Sequence, residues 1–179
     1  MVETFVSRRW SFRMLFVATA AALLFVSVLP VNLGRGTVPA PDLLVLLTIA
    51  WLLRRPDFVP APLIAAVFLC ADILLMRPLG LWSALVVLGT EYLRGRHRVG
   101  GDMPFFAEWM QVAGVLFALT ALEWLIFTIF MIPQASVGAL GLQCVITTAL
   151  YPAVVFATQS LFRVRPPRAA ERDAVRRGA

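Results

Sequence analysis

PDLLVLLTIAWLLRRP, residues 41–56, holds an apolar run broken only by Thr48, with a carboxylate before it and two guanidinium groups behind it. It lacks the polar–apolar alternation of a half-buried strand and the polar stripe of a soluble surface helix. Such a run, closed by charges, reads as a helix in apolar surroundings. Similar apolar blocks cover residues 14–31, 61–76, 79–93, 105–132 and 137–162.

Composition agrees with the pattern. Of 179 residues, 60% are hydrophobic and 15% charged, and the mean hydropathy is +0.85. Soluble domains sit near ~45–50% apolar and ~25% charged. A soluble enzyme domain, a disulfide scaffold and a disordered tail are excluded. The expectation is an all-α integral membrane protein, a six-helix transmembrane bundle over 14–162. It is flanked by a cytoplasmic N-terminus (1–13) and a basic, disordered cytoplasmic tail (163–179). Crossing about 30 Å of hydrocarbon takes about 20 helical residues. The second to fourth blocks are therefore short, and four spans plus a re-entrant pair is the alternative.

Arginine placement orients the bundle. All sixteen basic residues are Arg. With the N-terminus inside and six spans, Arg8, Arg9, Arg13, Arg54, Arg55, Arg94, Arg96, Arg98 and the six tail arginines fall inside. Only Arg35 and Arg77 fall outside, as positive-inside orientation requires. Trp10, Trp51, Tyr92 and Trp109 then mark inner ends, and Trp82 and Trp124 outer ones. The motif at Arg8-Arg9 superficially suggests a twin-arginine export signal, but no small-residue cleavage site closes the following run. A pI of about 10.9 invites a nucleic-acid reading. Arginines flanking apolar blocks instead suit anionic lipid at the cytoplasmic face, and no nucleic-acid partner is expected.

Ionisable groups inside spans are costly and are candidates for function. Asp42 reads first as the N-cap of the second span. Asp72 has apolar neighbours on both sides; it is either a buried carboxyl, paired with Arg77 five residues on or kept neutral by burial, or a contact locking this helix to another or to a partner subunit. Glu91 is expected to snorkel near Arg94, Glu108 to sit near the inner surface, and Glu123 to join an outward-facing polar cluster with Asp42, Asp72 and Arg77. Ala18 and Ala22 form a small-xxx-small face for helix packing, and Gly138 with Gly141 forms a second such face or a turn. Cys70 and Cys144 read as buried, inert thiols, and with His97 they make no metal site. No nucleophile–base set or phosphate loop is present. Neither enzymatic activity nor a cofactor is expected.

Pro41-Asp42-Leu43-Leu44, Arg54-Arg55-Pro56, Asp72-Ile73-Leu74-Leu75, Arg77-Pro78-Leu79-Gly80-Leu81 and Glu91-Tyr92-Leu93-Arg94 occur in that order. Together they resemble the bacterial rod shape-determining protein MreD family. The resemblance covers about a third of the chain in motif and nearly all of it in hydropathy. It implies a non-enzymatic inner-membrane scaffold subunit of the cell-elongation complex, directing lateral peptidoglycan synthesis and maintaining cell shape. The implied partners are an MreC-like periplasmic coiled-coil protein, the MreB filament, and the RodA glycosyltransferase with its transpeptidase. The implied fold is similar to the substrate-binding subunits of energy-coupling factor vitamin transporters. Asp42, Asp72, Arg77, Ala18 and Ala22 would then serve packing or partner contacts. Arg54, Arg55, Arg94, Arg96 and Arg98 would serve cytoplasmic ones. The alternative is such a transporter subunit itself, disfavoured because the outer loops offer few polar or aromatic groups for a vitamin pocket.

Overall fold

Six helices make up the computed structural model, which describes residues 2–29, 40–100 and 104–161. Arg35 and the tail at 163–179 lie outside the described residues, as do the side chains of Arg8, Arg9 and Arg98. The helices are α1 (Val2–Val28), α2 (Leu43–Arg54), α3 (Ala61–Leu74), α4 (Leu81–Gly100), α5 (Phe105–Ile129) and α6 (Val137–Leu161). No strand occurs among the described residues.

Local chemistry accounts for the boundaries. The Asp42 carboxylate accepts the Val45 N–H at 3.2 Å, an N-cap as expected. Pro60 and Pro104 stand at the starts of α3 and α5, where a missing N–H costs nothing. Both of these helices stop the same way. Met76 and Met131 adopt left-handed backbone (φ 54° and 52°), and the residue after each donates back across the last turn, Arg77 N–H to Asp72 O and Ile132 N–H to Phe127 O, both at 2.9 Å. A proline follows at 78 and at 133, closing the stop.

One expected loop is helix instead. The basic segment at 94–98 continues α4, where Arg94 and Arg96 find partners on the preceding turn. Arg94 Nε lies 3.1 Å from Glu91, and Arg96 donates to the Tyr92 hydroxyl at 3.0 Å.

Successive helices run in alternating directions. At one end the Arg13 guanidinium donates to Asp57 O at 3.3 Å, Phe12 stacks on Phe58 at 4.6 Å, and Arg94 donates to Val59 O at 2.6 Å. At the other, Gln143 donates to Ala40 O at 2.9 Å, and the Asp42 N–H donates to the Thr147 hydroxyl at 3.2 Å. Among the described residues, Arg77 is the one arginine at this second end. Helix α2 is the centre, packed by α1, α4 and α6, with every residue from Leu44 to Arg54 buried. Trp51, expected at an interface, is wholly enclosed, 5.7 Å from the Phe16 ring.

Three helical stretches, Trp10–Val28, Phe105–Ile129 and Val137–Ser160, are long and apolar enough to cross a membrane. By that measure the chain is a helical membrane protein. Helices α2 and α3, at 12 and 14 residues, are too short to do so by length alone.

Pro152 lies inside α6 and deprives the carbonyl four residues earlier, Thr148 O, of its helical donor. The Trp109 indole N–H from α5 fills that vacancy at 2.9 Å. Trp109→Phe is therefore expected to cost about 1–3 kcal/mol in thermal unfolding of the detergent-purified protein. In a Pro152→Ala background, which restores the helical N–H, the same change should cost clearly less. Equal penalties in both backgrounds would refute this account of Trp109.

Candidate functional site

Polar groups gather at both ends of α2, in different ways. At the arginine-rich end, Arg54 Nη1 lies 2.6 Å from Glu108 Oε2, and the Tyr151 hydroxyl donates to Glu108 Oε1 at 2.5 Å. All three residues are buried. The network ties the end of α2 to the first turn of α5 and the middle of α6. A buried guanidinium and carboxylate hold together only when matched this closely. The expected cytoplasmic role of Arg54 is thus corrected: its charge is used inside the bundle. Arg94 is corrected likewise, since it is held by Glu91 and the Val59 carbonyl. Arg55, its guanidinium 5.9 Å from the Phe58 ring, is half-buried, and Arg96 is exposed. Glu108 was expected merely near the surface, and Tyr151 carried no sequence signal. Their meeting depends on the register of three helices.

At the opposite end, Asp72 is fully buried. Its Oδ2 accepts the Gly80 N–H at 3.1 Å and the Ser83 N–H at 3.3 Å. Gly80, at φ +85°, has no side chain with which to cap α4. Asp72 reaches across from α3 and does that work, placing a carboxylate at the positive end of the helix. Of the two readings of Asp72, the helix-locking contact is the one found. Arg77 pairs with Asp42 instead, Nη1 to Oδ2 at 3.8 Å, with its guanidinium 6.0 Å from the Trp82 ring.

Three of the four groups of the expected polar cluster meet at one cavity. Asp42, Arg77 and Glu123 line a cavity of about 620 Å³ between α2, α4, α5 and α6, together with Trp82, Trp124 and Gln134. Asp72 is not among the lining residues and is spent on the α4 amides. The outer loops were expected to offer few polar or aromatic groups; at this cavity helices supply the aromatic ones. Arg77 and Gln134 come from the connections between helices, and Trp82, Glu123 and Trp124 from α4 and α5, so no single loop motif announced the site.

Other expected contacts are not used within the chain. Ala18 and Ala22 are exposed, and α1 packs through Phe16, Ala20 and Leu24 on another face. Gly138 and Gly141 have open space beside them and belong to the start of α6, where the Ser136 hydroxyl accepts the Ala139 N–H at 3.3 Å. Cys144 is buried as expected, whereas Cys70 is exposed. No cluster of three metal-binding side chains forms among the described residues. No family model, no curated protein and no solved structure matches this chain.

Glu108→Ala leaves the Arg54 charge buried without its partner and is expected to cost about 3–5 kcal/mol. Replacing both, Arg54→Met with Glu108→Leu, should recover much of that loss in detergent unfolding midpoints. A double variant no more stable than Glu108→Ala would show that the ion pair is not what the site depends on.

Proposed function

We propose that this chain is a scaffold subunit of the bacterial cell-elongation complex, of MreD type. It crosses the inner membrane six times with both termini in the cytoplasm. It acts without catalysis, holding an MreC-like periplasmic coiled-coil protein beside the cell-wall synthase pair of RodA and its transpeptidase. The arginine-rich end faces the cytoplasm, anionic lipid and the MreB filament, as positive-inside orientation favours.

One observation carries the reading. The residues on which the MreD resemblance rests are fasteners of the helices: Asp42 caps α2, Arg77 pairs with Asp42, Asp72 caps α4, and Arg54 anchors the far end of α2. A motif of this kind preserves a rigid shape within the membrane, which is what a scaffold supplies. The exposed Ala18/Ala22 face of α1 lets a single-span partner approach closely.

A second reading, a substrate-binding subunit of an energy-coupling factor vitamin transporter, is favoured by the cavity lined by Asp42, Arg77, Trp82 and Glu123. Co-purification of the tagged chain from its native membrane, with mass spectrometry of what accompanies it, separates the two. A periplasmic coiled-coil protein with cell-wall synthases is the expected result; paired ATPases or a bound vitamin would move the chain to the transporter class. In the same pull-down, Asp72→Ala should lower abundance or association more than Asp57→Ala, because Asp72 is buried and Asp57 is exposed. Equal behaviour of the two variants counts against a structural role for Asp72.

A further inference from the structure

The polar groups around the 620 Å³ cavity do not balance. Arg77 is turned toward Asp42 and Trp82. Asp42 Oδ1 accepts from Val45, and the Thr147 hydroxyl accepts from the Asp42 N–H. Left over are one donor, the buried Trp82 indole N–H, and the acceptors of two side chains. Glu123 feels the Arg77 charge from farther off but makes no hydrogen bond or close ion pair among the described residues, and is half-buried at the cavity wall. Gln134 Oε1 is buried and has no donor.

The orientation of the Gln134 amide follows from its neighbour. The Thr128 hydroxyl spends its only proton on Trp124 O at 2.8 Å. Toward Gln134 it can therefore only accept, which it does from Nε2 at 2.9 Å. The amide oxygen is thus the free end. A carboxylate and an amide oxygen without donors call for a ligand rich in N–H. Trp82, Trp124 and Phe127 also line the cavity, and indole faces attract a cation. The volume falls within the usual range for small-molecule sites, about 300–1,000 Å³.

We infer that this cavity binds a primary ammonium group, held by Glu123 and Gln134 between tryptophan rings. The same chemistry is offered by an ethanolamine lipid headgroup and by a free organic amine. The site stands at the ends of two helices long enough to cross a membrane, the level at which headgroups lie. The inference rests on neither functional reading above.

The test uses the full chain in nanodiscs of phosphatidylcholine and phosphatidylglycerol. Ethanolamine is titrated while tryptophan emission is followed. Tetramethylammonium, which has no N–H, is titrated in parallel. A second set of discs carries phosphatidylethanolamine in place of phosphatidylcholine. The expected result is a saturable response to ethanolamine and a much weaker one to tetramethylammonium. Glu123→Gln and Gln134→Leu should each weaken the response, by about tenfold for Glu123→Gln. Glu91→Gln, at the opposite end of the bundle, should change nothing, and circular dichroism confirms that each variant is folded.

If phosphatidylethanolamine discs shift the emission and blunt the ethanolamine response, the occupant is the lipid. If ethanolamine titrates alike in both discs, it is a free amine. The inference is overturned by the absence of both a saturable response and a lipid-dependent shift. An equal response to tetramethylammonium, or binding that Glu123→Gln leaves unaltered, would overturn it as well.

Discussion

A helix of twelve residues is about 18 Å long, so α2 has to end inside the bundle, and its terminal backbone groups and charges must be answered there by other helices. Both ends are answered. Asp42 folds back on the first turn and meets Arg77 from the approach to α4. Arg54 meets Glu108 and, through it, Tyr151. From Leu44 to Arg54 every side chain is enclosed, so α2 serves as the axis against which α1, α4 and α6 are set. Polar groups in such a core are costly unless satisfied, so the charged ends also fix the axial register of their neighbours.

The two ends differ in how closely their charges are held. At the arginine-rich end a guanidinium, a carboxylate and a phenol close on one another at 2.5–2.6 Å. At the other, the Arg77–Asp42 pair is looser, at 3.8 Å, and around an open cavity Gln134 Oε1 and the Trp82 indole N–H are buried without partners. One end of the bundle is thus a fastener. The other encloses a cavity.

What the sequence made legible follows the range of the interactions concerned. The apolar blocks, the Asp42 cap, and the prolines that open α3 and α5 act over one turn of chain, and all are visible in the order of residues. The convergence of Asp42, Arg77 and Glu123 was also within reach, because helices that alternate in direction bring these depths together. Arg54 with Glu108, Trp109 with Thr148, and Asp72 with the amides of Gly80 and Ser83 were not. Each needs the rotation of one helix about its axis relative to another, and a uniformly apolar helix carries little periodicity from which to read that rotation. The same lack of periodicity hid which face of α1 packs. Ala18 and Ala22 look like a packing face in the sequence, yet Phe16, Ala20 and Leu24 hold it.

In the six-span arrangement proposed above, the brevity of α3 has a consequence for the lipid around it. Its fourteen residues span about 21 Å, and Leu69, Ile73 and Leu74 are exposed along it. A bilayer meeting this flank has to thin by several ångströms, at fractions of a kcal/mol for each. That elastic deformation draws no distinction among partners, yet any short-spanned neighbour seated there would relieve it. The membrane itself would then supply an attraction toward this side of the molecule, acting before any side chain of the partner is recognised.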